Sequence, residues 1–284
     1  MALVIAAAFF MAVLFLLFKV FDRRQVPLLP AIVVNYLVAF GCGSLVAAPW
    51  RAGDLSALWM PAAVLGFLFI TIFRLTGLST RRAGVASTTV ASKLSLVLTV
   101  LFAVVFYGDR PGVFGWTGIV LALAGVVLSS PRSNGTVSRT LLVLPLTLFL
   151  GNAAIDILIN WTQRTHLTPD TEAVFPTLAF AFAGVLGLLW TSATKDRDGF
   201  GRPATWVGGA VLGAVNYIAL YYLVKALANS GLAPSAVYPL VNIGVILFGT
   251  GLSMLLFRER PVRLQQTGIA CAVVALVLII LGTR

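Results

Sequence analysis

The sequence predicts an all-α integral membrane protein, with ten transmembrane helices arranged as two inverted five-helix repeats. Three observations carry this expectation. The 284 residues are 60% hydrophobic and only 10% charged, with a mean hydropathy of +1.01, whereas soluble domains carry about 25% charged residues. The apolar residues fall in runs of about 17 to 25, long enough to cross a hydrocarbon core of about 30 Å at about 1.5 Å per residue. Finally, two stretches 150 residues apart share one gapless pattern of acidic residue, arginine, proline and glycine.

Charges and turn residues punctuate the runs in order. Ala2–Phe18 lacks a preceding basic segment and has its Ala-x-Ala triplets at its start, so it is expected as a span and not as a cleaved leader. Leu28–Ala48 carries Asn35. Ala57–Leu78 ends before Arg81 and Arg82, and its own Arg74 lies seven residues from Arg81, within snorkelling reach of the surface. Ala83–Tyr107 contains Lys93, and Gly112–Ser130 closes the first five. Leu141–Trp161 holds Asp156, the only acidic residue at depth. Glu172–Ser192, Ala204–Val224, Leu232–Phe257 and Gln265–Gly282 complete the set. The connectors are too short for a soluble domain.

The net charge of +11 comes from membrane-flanking loops and calls for no nucleic-acid partner. Thirteen Lys and Arg residues fall on one side: Lys19, Arg23, Arg24, Arg81, Arg82, Arg132, Arg139, Lys195, Arg197, Arg202, Arg258, Arg260 and Arg263. Five fall on the other: Arg51, Arg110, Arg164, Lys225 and Arg284. The positive-inside rule puts the richer side in the cytoplasm, and with it both termini outside a cytoplasmic (inner) membrane crossed many times. Cys42 and Cys271 both lie deep in predicted spans and read as small buried hydrophobes, not as a disulfide.

Tyr107–Leu128 aligns without gaps on Phe257–Leu278. Arg110/Arg260, Pro111/Pro261, Thr117/Thr267, Gly118/Gly268, Ile119/Ile269 and Ala122/Ala272 coincide, Asp109/Glu259 are similar, and Ala83/Ala233 and Ala86/Ala236 keep the register upstream. The repeat divides the chain near Asn134, into residues 1–133 and 134–284. Five spans is an odd number, so the second half must enter the membrane inverted, the architecture of many secondary transporters. Proline suits a helix start, where its missing N–H is no loss. Asp109 and Glu259 therefore read as members of a tight reverse turn and not as catalytic groups.

The five-plus-five layout and the paired acidic-Arg-Pro…Gly connectors resemble the EamA-type transporters of the drug/metabolite transporter superfamily. The resemblance implies a ten-helix bundle that moves a small metabolite, with spans 3, 4, 8 and 9 near the central path and spans 5 and 10 peripheral. Members of that superfamily are described with both termini cytoplasmic, and with Glu where this chain has Asp109.

Helical spacing sorts the polar residues by face. Thr88, Ser92, Ser95 and Thr99 form one stripe of span 4, where small hydroxyl residues serve helix packing. Lys93 points away from that stripe, about 14 Å in from Gly84. A charge at this depth costs about 2.5–3.5 kcal/mol and marks a functional site. On span 6, Asn152, Asp156, Asn160 and Gln163 share a face, which makes Asp156 the expected counter-charge of Lys93 or a proton carrier. Asn216, Tyr217 and Tyr221 on span 8, Tyr238 and Asn242 on span 9 beside Pro239, and Asn35 on span 2 complete the expected substrate or ion path. His166 reads as a solvated loop residue.

An intramembrane enzyme would need a metal cluster, a triad or paired carboxylates. This chain has one His, no acidic residue at depth besides Asp156 and no Walker-type phosphate loop, so no catalytic residue, metal or cofactor is expected. A passive channel for small polar solutes is the main alternative to a carrier. The expected partners are the bilayer, a small amino acid-like solute and protons, and the chain is expected to work as a monomer.

Overall fold

The computed structural model describes residues 1–107, 112–129, 139–168, 170–230 and 234–282, and these are helical with no strand among them. The α-helices are α1 (Ala2–Arg23), α2 (Leu28–Ala47), α3 (Ser56–Lys93), α4 (Leu96–Tyr107), α5 (Val113–Ser129), α6 (Arg139–Thr165), α7 (Val174–Ala193), α8 (Pro203–Asn229), α9 (Pro234–Phe257) and α10 (Arg263–Gly282). Short 3-10 segments occupy Pro49–Arg51 and Lys195–Gly201. Asp109, Arg110, Pro111, Arg132, Asn134, Ala233 and Arg284 lie outside the described residues, as do the side chains of Arg139, Gln163, Arg164, Lys195 and Ala236.

Among the described residues, eight helical stretches are long and apolar enough to cross a membrane, against the ten expected. The difference lies in the first half. The residues expected as spans 3 and 4 form one apolar stretch, Ser56–Phe106, because the expected loop at residues 79–82 is helical. The chain turns instead on one residue, Gly84, at φ 82° and ψ 167°. That backbone region is open to glycine and closed to most other residues. The 17-residue α5 is shorter, about 26 Å at about 1.5 Å per residue.

A second departure concerns span 4, expected as one helix. It breaks after Lys93, and α4 starts only at Leu96. The Val97 N–H donates to the Leu94 carbonyl at 3.0 Å and the Leu98 N–H to the Ser95 carbonyl at 2.9 Å, bonds of 3-10 spacing that tighten the chain. Ser95 Oγ donates to the Ser92 carbonyl at 2.8 Å. Hydroxyls so placed compete with the regular ladder. The stripe Thr88–Ser92–Ser95–Thr99 is thus cut in the middle.

Two compact units are present, and each draws on both sequence halves. The first comprises Met1–Lys19, Thr76–Ala153 and Ile218–Arg284. One of its cores joins Leu94, Ile119, Ile246, Ala272 and Leu276, and another joins Val4, Ala8 and Phe15 of α1 to Val85, Val241 and Val245. Here α5 packs on α10 at backbone distance. A Cβ on Gly118 would stand 2.9 Å from the Ala275 carbonyl oxygen, and one on Gly125 3.2 Å from the Gly268 carbonyl oxygen. Gly118 and Gly268 are offset partners, as are Gly125 and Ala275, so this interface maps onto itself when the halves are exchanged. Self-complementary contact of that kind is what a two-fold relation produces.

The second unit comprises Val20–Leu75 and Ala154–Tyr217. Leu58, Ala62 and Leu65 of α3 pack against Val174, Phe175, Leu178 and Ala179 of α7. Between α2 and α7, Gly187 approaches Val33 and Gly184 approaches Leu37. Tyr36 stacks on Phe69 at 6.2 Å between ring centroids, with Phe180 tilted against both. Gly184 and Gly187 let α2 and α7 approach closely, and close van der Waals contact must hold helices together where lipid supplies no hydrophobic drive between them.

Candidate functional site

In the first unit, α9 runs antiparallel beside residues 85–93. A Cβ on Gly249 would stand 2.9 Å from Thr89 Cγ2. Further along, Asn242 Nδ2 donates to the Lys93 carbonyl oxygen at 3.4 Å. That carbonyl sits where the helix breaks, because the Val97 N–H that a regular helix would send to it bonds Leu94 instead. Asn242, expected on the path, thus spends one N–H on the break beside Lys93. The Lys93 side chain and Tyr238 are half-buried.

Two of the four hydroxyls of the expected stripe, those of Thr88 and Ser95, turn to the backbone. Thr88 Oγ1 donates to the Gly84 carbonyl at 2.8 Å and lies 2.9 Å from Ser79 Oγ. Ser92 Oγ and Thr99 Oγ1 are buried without a hydrogen-bond partner among the described residues. On α6, Asn152 Nδ2 donates to the Leu148 carbonyl at 2.8 Å. On α8, Tyr221 is exposed with the Lys225 ammonium 5.6 Å from its ring centroid, and Tyr222 stacks on Phe10 of α1.

The second unit brings Asn35 and Asn216 together. Asn216 Nδ2 donates to Asn35 Oδ1 at 3.2 Å, and Asn35 Nδ2 reaches the Ile32 carbonyl at 3.4 Å. Asn35 is fully buried. The close α2–α8 approach is made possible by Gly213, whose Cβ would lie 2.5 Å from the Asn35 carbonyl oxygen. Asp156, Asn160 and Tyr217 are half-buried, with Asn160 Nδ2 donating to the Asp156 carbonyl at 2.8 Å. Lys93 belongs to the first unit and Asp156 to the second. Arg74 lays its guanidinium over Trp190 at 4.5 Å and meets Asp196 at 4.0 Å. His166 is exposed, with its ring edge-on to Trp161.

One cluster went unforeseen. Glu259 pairs with Lys19 at 2.9 Å, accepts the Val85 N–H at 3.2 Å and accepts Ser253 Oγ. The acidic-Arg-Pro motif was the available signal, but its spacing gives no hint of the distant partners. Among the described residues, no group of three His, Cys, Asp or Glu side chains gathers as a metal site.

A solved crystal structure of a protein superposes with a TM-score of 0.63 at 17% identity, over 98% of this chain and 94% of that one, a likeness of fold alone. An uncharacterized protein of Haemophilus influenzae is 27% identical over 268 residues, which span 89% of this chain and 88% of that protein. Residues 1–130 match the EamA-like transporter family. The resemblance is borne out over those residues, and the match together with the apolar helices supports a multi-pass, transporter-like membrane protein. A family of transporters also agrees with a non-enzymatic reading.

Proposed function

We propose that this protein is a secondary transporter that moves a small polar, amino acid-like solute across the cytoplasmic membrane by alternating access. The observation that carries the reading is the EamA match over residues 1–130. The reciprocal α5–α10 contact supports its extension to the rest of the chain as ten spans, in two inverted halves of residues 1–133 and 134–284. Lys93 at the helix break serves the solute carboxylate, and Asp156 carries the coupling proton. Asn35, Asn152, Asn160, Asn216, Tyr217, Tyr221, Tyr238 and Asn242 supply the polar lining. Both termini face outward, on the thirteen-to-five asymmetry of basic residues, and one chain completes the path.

Counter-flow in proteoliposomes with a labelled amino acid mixture tests this. A carrier shows uptake stimulated by unlabelled solute inside, whereas uptake indifferent to internal solute means a channel. Lys93→Ala is expected to lower exchange at least about tenfold, because a lysine at that depth is costly unless used. Uptake through Asp156→Asn is expected to lose its pH dependence. A fluorescent reporter that matures only in the cytoplasm, fused after Arg284, is expected to stay dark.

A further inference from the structure

We infer that Glu259 is a positioning residue for the helix that carries Lys93: its carboxylate is the N-terminal cap of residues 85–93, delivered from the end of α9. The inference rests on the transporter reading for what Lys93 does, and on geometry alone for the cap.

Gly84 ends one helical segment and starts another, so residues 85–93 have an N-terminus of their own. The first N–H groups of any helix lack intrahelical acceptors and need a cap. Ordinarily the preceding residue supplies it from its side chain. Gly84 has none, and the Thr88 hydroxyl donates to the Gly84 carbonyl instead of accepting. The acceptor comes from elsewhere in the chain: the Val85 N–H donates to Glu259 Oε2 at 3.2 Å. An anionic group there also meets the positive end of the helix dipole.

Glu259 is itself held from three directions. Arg258 adopts a left-handed conformation, φ 56°, which ends α9, and the Glu259 N–H folds back on the Ser253 carbonyl at 3.4 Å. Ser253 Oγ donates to Oε2, while Lys19 Nζ of α1 lies 2.9 Å from Oε1. The Lys19 and Glu259 side chains are only 18% and 22% exposed, so this is not a loose surface pair. At the other end of residues 85–93, Asn242 of the same α9 holds the Lys93 carbonyl. α9 therefore grips this short helix at both ends, and a shift of Glu259 is passed to Lys93.

The test uses the full chain in detergent and in proteoliposomes, with Glu259→Ala, Glu259→Gln and Lys93→Ala. Hydrogen exchange of the Val85 amide and its neighbours is expected to quicken about five- to tenfold in Glu259→Ala, with α5 and α10 unchanged. Glu259→Gln keeps an acceptor oxygen and is expected to restore slow exchange. Uptake of the labelled amino acid mixture is expected to fall in Glu259→Ala and to recover substantially in Glu259→Gln. Unchanged Val85 exchange in Glu259→Ala would overturn the cap, whatever Lys93→Ala does to uptake. Quickened exchange with wild-type uptake in both Glu259→Ala and Lys93→Ala leaves the cap standing and overturns the part given to Lys93. If Glu259→Ala does not fold, Glu259→Gln decides: slow Val85 exchange supports the cap, and fast exchange refutes it.

Discussion

Gly118 on α5 lies so close to Ala275 on α10 that an added Cβ would stand 2.9 Å from the Ala275 carbonyl oxygen. The obstacle is backbone, which cannot turn aside as the tip of a side chain can. Gly118→Ala is therefore expected to destabilise the protein by about 1–3 kcal/mol, the usual range for overpacking. Gly41 on α2 has nothing within 4 Å of its Cβ position. There alanine should stabilise by about 0.5–1 kcal/mol through helix propensity. Thermal unfolding in detergent should show shifts of opposite sign, and two upward shifts would refute the close approach.

Arg258 holds a left-handed backbone at φ 56° where such helix ends usually place glycine. A non-glycine residue there stores about 1–2 kcal/mol of strain. Arg258→Gly should release part of it and raise the unfolding temperature. The Glu259 contacts should survive, because the arginine side chain is exposed and takes no part in them. A lowered unfolding temperature would mean that the arginine has contacts of greater weight than its strain.

Run length alone was enough to read the helical membrane fold, since nothing but a helix buries seventeen or more apolar residues in lipid with its backbone satisfied. The first connector likewise carried the resemblance that the match over residues 1–130 bears out, through acidic-Arg-Pro and the glycine seven residues on from the proline. Two breaks were read only in part or not at all. The polar run Ser79–Arg82 announced a turn, but it is helical, and the chain turns two residues further on, at Gly84. The break at Leu94 and Ser95 contains neither proline nor glycine, and its serines look like any packing stripe. Pairing by helical spacing also sees only neighbours on one helix. It found Asn152, Asp156 and Asn160, but not Glu259 with Val85, 174 residues away, nor Asn216 with Asn35. Both of those pairs depend on which helices the fold sets side by side.

Asp54 precedes α3, and its carboxylate accepts the Ser56 N–H at 2.8 Å and the Ser56 hydroxyl at 2.9 Å. These bonds, the backbone one first, hold its pKa below the ordinary aspartate value. A depressed folded pKa means that the contribution is present above the unfolded value and is lost as pH falls through the folded one. The Ser56 amide resonance should therefore titrate with a midpoint below that of a free aspartate. Asp54→Asn should abolish the transition, and a midpoint at or above the free value would contradict the cap.

Asn216 donates to Asn35 at 3.2 Å between α8 and α2, and Asn35 is fully buried. Removing one member leaves the other with polar capacity unmet. Asn216→Ala deprives the buried Asn35 Oδ1 of its donor, at a cost of about 1–3 kcal/mol for an unsatisfied group. Asn35→Ala leaves the Asn216 amide without that acceptor, but Asn216 is only half-buried and loses less. The double variant has neither group to strand, so its destabilisation should fall short of the sum. Interhelical hydrogen bonds in membranes average about 0.6 kcal/mol, which sets the coupling to expect. Unfolding measured for all four members of the cycle gives that coupling directly. Strictly additive effects would mean that the two carboxamides do not bind each other in the folded protein. The Asn216 N–H would then be left to meet a solute, and Asn216→Ala would weaken transport without a matching loss of stability.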